Sequence, residues 1–426
     1  MRSNQPHDLE DGEGSEAERP RHAPLSFIEF VILIAIAMAL ITLSIDLMLP
    51  ALPAIAESLR VESANQRQWV LSTFLLGMGL GSLVLGPLSD RYGRKPTLTI
   101  AIALYLAASI ACAVAANLVQ LLLARFVAGL FAASCRIVTV SIIRDCFKGD
   151  NMARVLSLCF IILMTVPMIA PAIGQALLSV MPWRWIFGVL ALLGGAVLIW
   201  IVARLPETLP PADRISISPA GMRSALKDIV SHRAAMGYIA AATIVTGAQF
   251  GFLLSIQQIV FDVFHAPSKL AIVFLSITSC MVLGSLLNSA LVRRFGARRL
   301  GQGALIVLAI ISLIHVLFVL NGRETLGSFS AFQGLLLLCA AFSNGNFNSI
   351  AMERFSRGAG LAASIQGSIT VVGSAGISGL IGYAFDGTTL PLALAYFVAA
   401  VLAFGVVTWA ERGQLFTQPD RILLSR

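Results

Sequence analysis

An aspartate and two arginines stand inside long apolar runs, where ionised side chains are costly. Asp46 lies in Ser44-Ile45-Asp46-Leu47-Met48-Leu49-Pro50-Ala51-Leu52-Pro53. A charged Asp near the centre of a membrane helix costs about 2.5–3.5 kcal/mol even on lenient scales, so it must face protein or water. It can also lower that cost by binding a proton. A carboxyl that alternates between the two forms can couple proton movement to a conformational cycle. The plainer alternative is a helix-end Asp wetted at the membrane surface, because few apolar residues follow it. Arg125 falls early in a later run, and Arg136 follows eleven residues on. That spacing is close to three helical turns and puts Arg136 on nearly the same face, about 16 Å deeper. Two arginines on one face imply a cavity rather than lipid contact. For Arg136 the alternative is snorkelling to the interface. The runs carrying Asp46 and Arg125 cross in opposite senses, so the two residues are expected at similar depth.

Further polar or helix-bending residues sit in other runs. Pro167-x-x-x-Pro171-x-x-Gly174 frees backbone carbonyls inside a bundle. It reads as a hinge between moving parts or as a merely bent packing helix. Gln249, Gln257, Gln258 and Asp262 share one run, Asn344, Asn346 and Asn348 another, and Gln366 a third. Gln249, Asn346, Gln366 and Arg136 are the candidate cavity residues, with helix-packing hydrogen bonds as the alternative for the asparagines. Asp262 is expected at the outer rim. No set of residues has metal-ligand spacing. The six cysteines lie in or beside apolar runs as small packing residues.

The elements that must position these residues are membrane spans. The chain is 57% hydrophobic and 12% charged, far below the roughly 25% charged residues of a soluble domain. Apolar runs of about 20 residues recur along it, each long enough to cross a bilayer. The expected spans are roughly 27–52, 69–89, 97–117, 119–143, 154–181, 184–205, 235–262, 270–292, 299–320, 328–352, 360–384 and 389–410. Arginines and lysines collect on one side, among them Arg91, Arg94, Lys95, Arg144, Arg204, Arg233, Arg293, Arg294, Arg298, Arg354 and Arg357. That side is expected to be cytoplasmic, with both termini inside, and the net charge of +8 then reflects topology rather than a nucleic-acid surface.

Between the second and third runs stands Gly86-Pro87-Leu88-Ser89-Asp90-Arg91-Tyr92-Gly93-Arg94-Lys95. Gly86 and Gly93 permit close helix approach and a sharp turn, and Asp90 can answer the basic residues. Residues 206–234 are the only long hydrophilic interruption, rich in proline, and divide the spans six and six. The expected domains are a disordered cytoplasmic tail (1–24), a six-helix half (25–205), a linker (206–234), a second six-helix half (235–410) and a tail (411–426). The second half echoes the loop as Arg293-Arg294-Phe295-Gly296-Ala297-Arg298-Arg299. Sliding one half onto the other places Gln249 opposite Asp46. Arg293 stands where Asp90 does, so the two loops are not expected to be energetically equivalent.

The G-x-x-x-D-R-x-G-R-K loop resembles the signature of the major facilitator superfamily of transporters. Asp46 to Ile55, Phe74-Leu75-Leu76-Gly77, Trp183-Arg184-Trp185-Ile186-Phe187 and Leu205-Pro206-Glu207-Thr208-Leu209 resemble its Bcr/CflA branch, the bicyclomycin and chloramphenicol resistance antiporters. The resemblance implies an all-α membrane protein with a major facilitator fold of about twelve helices in two pseudo-symmetric halves. It implies Asp46 as proton-responsive carboxylate, Arg125 as the arginine tied to coupling, and Asp90 with Arg94 as a cytoplasmic gate latch whose partner is Asp145. Departures are Ala170-Pro171 in place of Gly-Pro, Ala128 in place of Gln, Arg136 one turn before the usual arginine position near Val140, and Met38 near a second acidic site.

The expected function is proton-coupled export of small organic compounds, as in multidrug or antibiotic efflux, from a multi-pass protein of the bacterial inner membrane. The alternative is a proton-coupled uptake symporter of an organic acid or sugar, since a fold serves many functions. Two arginines against one firm acid suit an anionic or zwitterionic compound. A membrane enzyme or sensor is disfavoured, because no metalloprotease, nucleophile-elbow or P-loop motif occurs. No cofactor beyond the coupling proton is expected, and the expected partners are a small molecule and the bilayer, with the protein acting as a monomer.

Overall fold

The computed structural model describes residues 25–61, 63–214, 219–353 and 359–416. Every regular element among them is helical. Twelve helices are long and apolar enough to cross a membrane: span 1 (Phe27–Ser58), span 2 (Asn65–Tyr92), span 3 (Arg94–Ala113), span 4 (Leu118–Cys146), span 5 (Gly149–Val180), span 6 (Arg184–Arg204), span 7 (Arg233–Val263), span 8 (Pro267–Phe295), span 9 (Ala297–Leu320), span 10 (Leu326–Met352), span 11 (Gly360–Tyr383) and span 12 (Leu390–Ala410). Each expected run overlaps one. Hydrocarbon cannot hydrogen-bond a backbone, so each crossing closes its own N–H and C=O groups in a helix.

Two boundaries differ instructively. Span 1 does not stop near residue 52 but continues to Ser58 past a break after Asp46, and span 5 begins at Gly149. The prolines at 50 and 53 sit in the first turn of new helical pieces, where a missing N–H costs nothing, so they restart the span rather than end it. The linker holds a helix at Pro219–Ser231. The expected tail at 1–24, residues 417–426 and the loop arginines Arg354 and Arg357 lie outside the described residues.

The helices sort into two bundles. Spans 2 and 4, 1 and 5, and 3 and 6 pack together in the first; spans 8 and 10, 7 and 11, and 9 and 12 pack correspondingly in the second. Span 2 packs on span 11 and span 5 on span 8, joining the bundles. The repeat extends to backbone conformation. Gly93 ends span 2 at φ +106° and Gly296 ends span 8 at φ +82°, each donating its N–H to the carbonyl four residues back. Only glycine adopts that conformation without strain, so both loops turn on the same residue type.

Spans 1 and 5 cross where span 1 breaks. A Cβ on Gly174 would stand 2.2 Å from the Leu47 carbonyl oxygen and 2.9 Å from Pro50. A side chain at 174 therefore forces the spans apart. Gly195, which has no neighbour within 4 Å, is the matched control. Gly174→Val is expected to lower the thermal midpoint of the purified protein, the effect of about 1–3 kcal/mol typical of overpacking, while Gly195→Val leaves it within error. Equal midpoints for both variants would show that the crossing tolerates separation.

Candidate functional site

Span 1 is interrupted at about two-thirds of its length, and the interruption creates the site. The first helix ends at Asp46, Leu47 and Met48 form a turn, and helical geometry resumes at Leu49. A helix end leaves its last carbonyls without intrahelical donors. Asp46 is 4% exposed, and its carboxylate makes no hydrogen bond or ion pair among the described residues. The break puts it well inside the span rather than at a wetted helix end. A buried carboxyl at a broken helix is an arrangement suited to binding a proton or small cation.

Arg125 closes the other side of this break. Its Nη2 donates to the Ser44 carbonyl at 3.0 Å and its Nε to the Val70 carbonyl at 3.1 Å. The guanidinium lies 4.2 Å from the Phe74 ring centroid and 5.9 Å from that of Phe187, and the residue is 1% exposed. The Ser44 hydroxyl meets the Tyr105 hydroxyl at 2.6 Å and donates to Leu40 O. Two expectations change here. Arg125 is not in an open cavity, and it is not ion-paired with Asp46. Its charge is spread over backbone carbonyls and aromatic faces, and it reaches Asp46 through the carbonyl two residues away.

Pro167 and Pro171 lie inside an uninterrupted helix. Pro171 and Gly174 are buried where span 5 crosses the break in span 1, so the motif forms a close-contact junction there.

Arg136 differs from Arg125 in every respect. The stripe of span 4 that is covered at Arg125, Gly129 and Ala132 opens at Arg136, whose side chain is exposed. Its side chain has no hydrogen-bond or ionic partner among the described residues.

In the second half the amides pair with one another. Gln249 Oε1 accepts from Asn344 Nδ2 at 2.7 Å, and Gln366 Nε2 donates to Asn348 Oδ1 at 2.7 Å. Asn344 and Asn348 are one turn apart on span 10, facing spans 7 and 11. Asn346 is on the other side of that helix, 2% exposed, bonded to Asn288 of span 8 and to the Phe342 carbonyl. It is a packing residue rather than part of the same polar face, and Asn344 and Asn348 take the place expected for it.

The signature loop builds a compact brace. Arg94 donates to Asp145 at 2.9 Å, to the Ser89 hydroxyl at 2.8 Å and to Asp90. Glu207 accepts from the Arg94 backbone N–H at 2.9 Å and caps span 3; a Cβ on Gly93 would stand 2.4 Å from that carboxylate. Arg91 lies outside the cluster, 5.1 Å from the Tyr92 ring centroid. Gly86 faces span 11, where a Cβ would meet the Ser364 hydroxyl at 2.7 Å. The brace ties spans 2, 3 and 4 to the linker within one half and does not latch the halves together. The second half repeats it: Arg298 bonds Glu353 at 2.8 Å and Glu411 at 3.0 Å. The loss of an Asp90 equivalent therefore removes one contact, not the cluster, and the halves are more alike than the loop sequences imply.

Polar contacts between halves gather at the opposite end. Arg67 pairs with Asp262, Gln68 with Gln258, Asn65 donates to the Tyr383 and Phe385 carbonyls at 3.1 and 3.0 Å, and Gln175 donates to Pro267 O at 2.7 Å. Near mid-span, Ser368 donates to Gly79 O at 2.8 Å. No side-chain hydrogen bond or ion pair joins the halves at the arginine-rich end among the described residues.

The profile of the Major Facilitator Superfamily matches residues 34–383. The chain belongs to this superfamily of transporters. Its relatives include an uncharacterised MFS-type transporter, YdgK, of Bacillus subtilis (29% identical, 87% of this chain, 93% of the relative). A bicyclomycin resistance protein homolog of Haemophilus influenzae is 27% identical over 89% of this chain and 96% of its own length. The multidrug resistance protein MdtL of Escherichia coli is 30% identical over 78% and 82%. These names agree with the Bcr/CflA resemblance of the motifs. Among solved structures, a D-xylose-proton symporter superposes with TM-score 0.68 at 14% identity, covering 92% of this chain and all of that one. The human organic anion transporter MFSD10 (TETRAN) gives 0.64 at 16%, covering 89% and 98%. At such identities these two establish the fold alone.

Sequence reasoning missed the Asn65–Arg67–Gln68 interlock, because these residues lie in a short polar loop whose partners come from the other half. It also missed Tyr105, Phe74 and Phe187 as the bed for Arg125; an aromatic in each of three spans carries no local signal. Removing the guanidinium as Arg125→Ala strands two buried carbonyls, each worth about 1–3 kcal/mol, so the midpoint should fall by several degrees. Tyr105→Phe, which leaves the Ser44 carbonyl capped, should cost less. The reverse order would mean that the hydroxyl pair, not the arginine, holds the break.

Proposed function

We propose that the protein is a proton-driven exporter of small organic compounds in the bacterial inner membrane, with its arginine-rich loops and both termini in the cytoplasm. The observation that carries this reading is Asp46: a buried carboxyl without a partner, at the break of a spanning helix. A buried unpaired carboxylate is expensive unless it takes up a proton or the site opens to water. Protonation therefore favours the closed arrangement of the break, and release of the proton favours a wetted one. A group with that differential can bias two conformations of the halves.

The interlock of Arg67, Gln68 and Asn65 with the second half lies on the periplasmic side in this orientation, so the described conformation is sealed outward. Arg136 and the Asn344–Gln249 and Asn348–Gln366 pairs then line the interior between the halves on the cytoplasmic side. An unpaired guanidinium in such a space favours compounds with an anionic group, which it can hold by two parallel hydrogen bonds. Export, rather than uptake, is supported by relatives named for bicyclomycin and multidrug resistance. Protons are the coupling ion and no other cofactor is invoked.

The test is proton flux in proteoliposomes while candidate compounds are added. Compound-driven release of protons from acid-loaded vesicles supports exchange, and co-directional flux overturns it in favour of symport. Asp46→Asn, which keeps the shape and removes the titratable charge, should abolish concentrative transport at normal expression; full concentrative export by this variant would reject Asp46 as the proton site. Arg136→Ala should weaken competition by anionic compounds about tenfold or more, in line with loss of a charge-assisted hydrogen bond, while neutral compounds compete as before. Equal losses for both classes would remove Arg136 from substrate recognition.

A further inference from the structure

The second half contains a group of buried polar side chains away from the space between the halves. His315 of span 9, Gln257 of span 7, Gln333 of span 10 and Tyr396 of span 12 are each 0% exposed. His315 Nδ1, both amide atoms of Gln257, both of Gln333 and the Tyr396 hydroxyl have no hydrogen-bond partner among the described residues. All four lie at one depth. Counting from the helix ends opposite the arginine-rich loops, they are five to seven residues in, or about 8–10 Å at 1.5 Å per residue.

Ring and hydrogen-bond contacts bring their faces together. His315 stacks on Phe332 at 4.6 Å and lies 6.3 Å from Phe329, and Gln333 follows Phe329 by one turn on span 10. Phe264, just beyond the end of span 7, packs on Phe329 at 5.6 Å, and Gln257 lies seven residues before it on span 7, which packs on span 10. Glu324 links the remaining corner: one oxygen meets His315 Nε2 at 2.6 Å and the other accepts from Thr389, two turns from Tyr396 on span 12. Spans 7, 9, 10 and 12 pack on one another in the pairs this requires. Gln333 is also the eighth residue of its helix, as Arg125 is of its own, so the group is the repeat counterpart of the Arg125 site.

Six orphaned polar atoms in one region are far more than native interiors tolerate without bridging water. We propose that this region is a hydrated chamber that binds a proton on His315. One Glu324 oxygen accepts from Thr389 and the other faces His315 Nε2, and with that oxygen as acceptor the neutral imidazole carries its hydrogen on Nε2 and donates it to Glu324. The lone pair of Nδ1 then faces the chamber. A proton delivered through water bonds to Nδ1, and the imidazolium so formed is balanced by the Glu324 carboxylate. The amides and the Tyr396 hydroxyl anchor the waters that accept from it. Tyr396 is the titratable group on span 12. Spans 7 and 10 present none to His315, and Arg323, His265, Lys269 and Asp386 at this end are exposed. This site is distinct from Asp46 and does not depend on the direction of transport.

The experiment is magic-angle NMR of the full chain, labelled with 15N-histidine, in lipid nanodiscs. Five histidines are present, and His315→Gln identifies the signals of interest by subtraction. In wild type, Nε2 should be protonated and Nδ1 bare at alkaline pH, with Nδ1 gaining a proton on acidification over the range in which the protein stays folded. Water-to-nitrogen transfer should reach Nδ1. Tyr396→Phe, which keeps the ring, should reduce that transfer twofold or more. Glu324→Gln should return the Nε2 proton to an ordinary shift. An Nδ1–H tautomer at alkaline pH, one unchanging charge state across that range, or absence of water transfer would each overturn the proposal, and the wild-type spectra decide it even if a variant misfolds.

Discussion

A backbone carbonyl inside a bilayer must find a donor within the protein, and span 1 breaks that rule at Ser44. The helix stops at Asp46, and the donor that would complete the ladder is missing. Arg125 supplies it from span 4 and draws a second carbonyl from span 2 to the same guanidinium. Three spans are thereby fastened at one point, with Tyr105 of span 3 reaching in through Ser44. Span 5 must pass close to the same break, which is why glycine is required at 174. The unpaired carboxyl of Asp46 exists only because this framework holds the break open at a depth where nothing else answers the charge.

The halves are joined unequally along their length. One end carries an ion pair and several amide contacts between them, while the arginine-rich end carries braces internal to each half. Such a division lets each half move as a unit. The contacts made and broken in a two-state cycle are those between halves, and their concentration at one end means that end can open without disturbing either brace. Charges within each brace have their partners inside the same bundle, so a displacement of one bundle against the other would not expose them.

The repeat is clearer in structure than in sequence. Arg94 with Asp145 and Glu207 reappears as Arg298 with Glu353 and Glu411, although the loop sequences around them diverge. Gly93 and Gly296 preserve the turn that makes both braces possible. Beneath them the halves part company: one encloses Arg125 on carbonyls and rings, the other a group of neutral amides, a tyrosine and a histidine–glutamate pair.

The number of spans, the division into halves and the residues inside the membrane were legible from the chain, because hydrocarbon imposes a length and a polarity that each segment must meet by itself. Asp46, Arg125, Arg136 and the loop cluster could be named for the same reason: a charge in an apolar run is visible without knowing its neighbours. What those charges touch was not legible. Arg125 and Arg136 have the same spacing relation to helical periodicity as any stripe, yet one is closed off by spans 1 and 2 while the other stands open. Asn344, Asn346 and Asn348 alternate in sequence, and only the packing of spans 7, 8 and 11 decides which of them turns to the interior. The Arg67–Asp262 pair joins residues 195 positions apart, and the proline pair of span 5 becomes a junction only where span 1 breaks. Local sequence determines what a segment must bury; the partner that satisfies it comes from another helix, and that choice belongs to the tertiary structure.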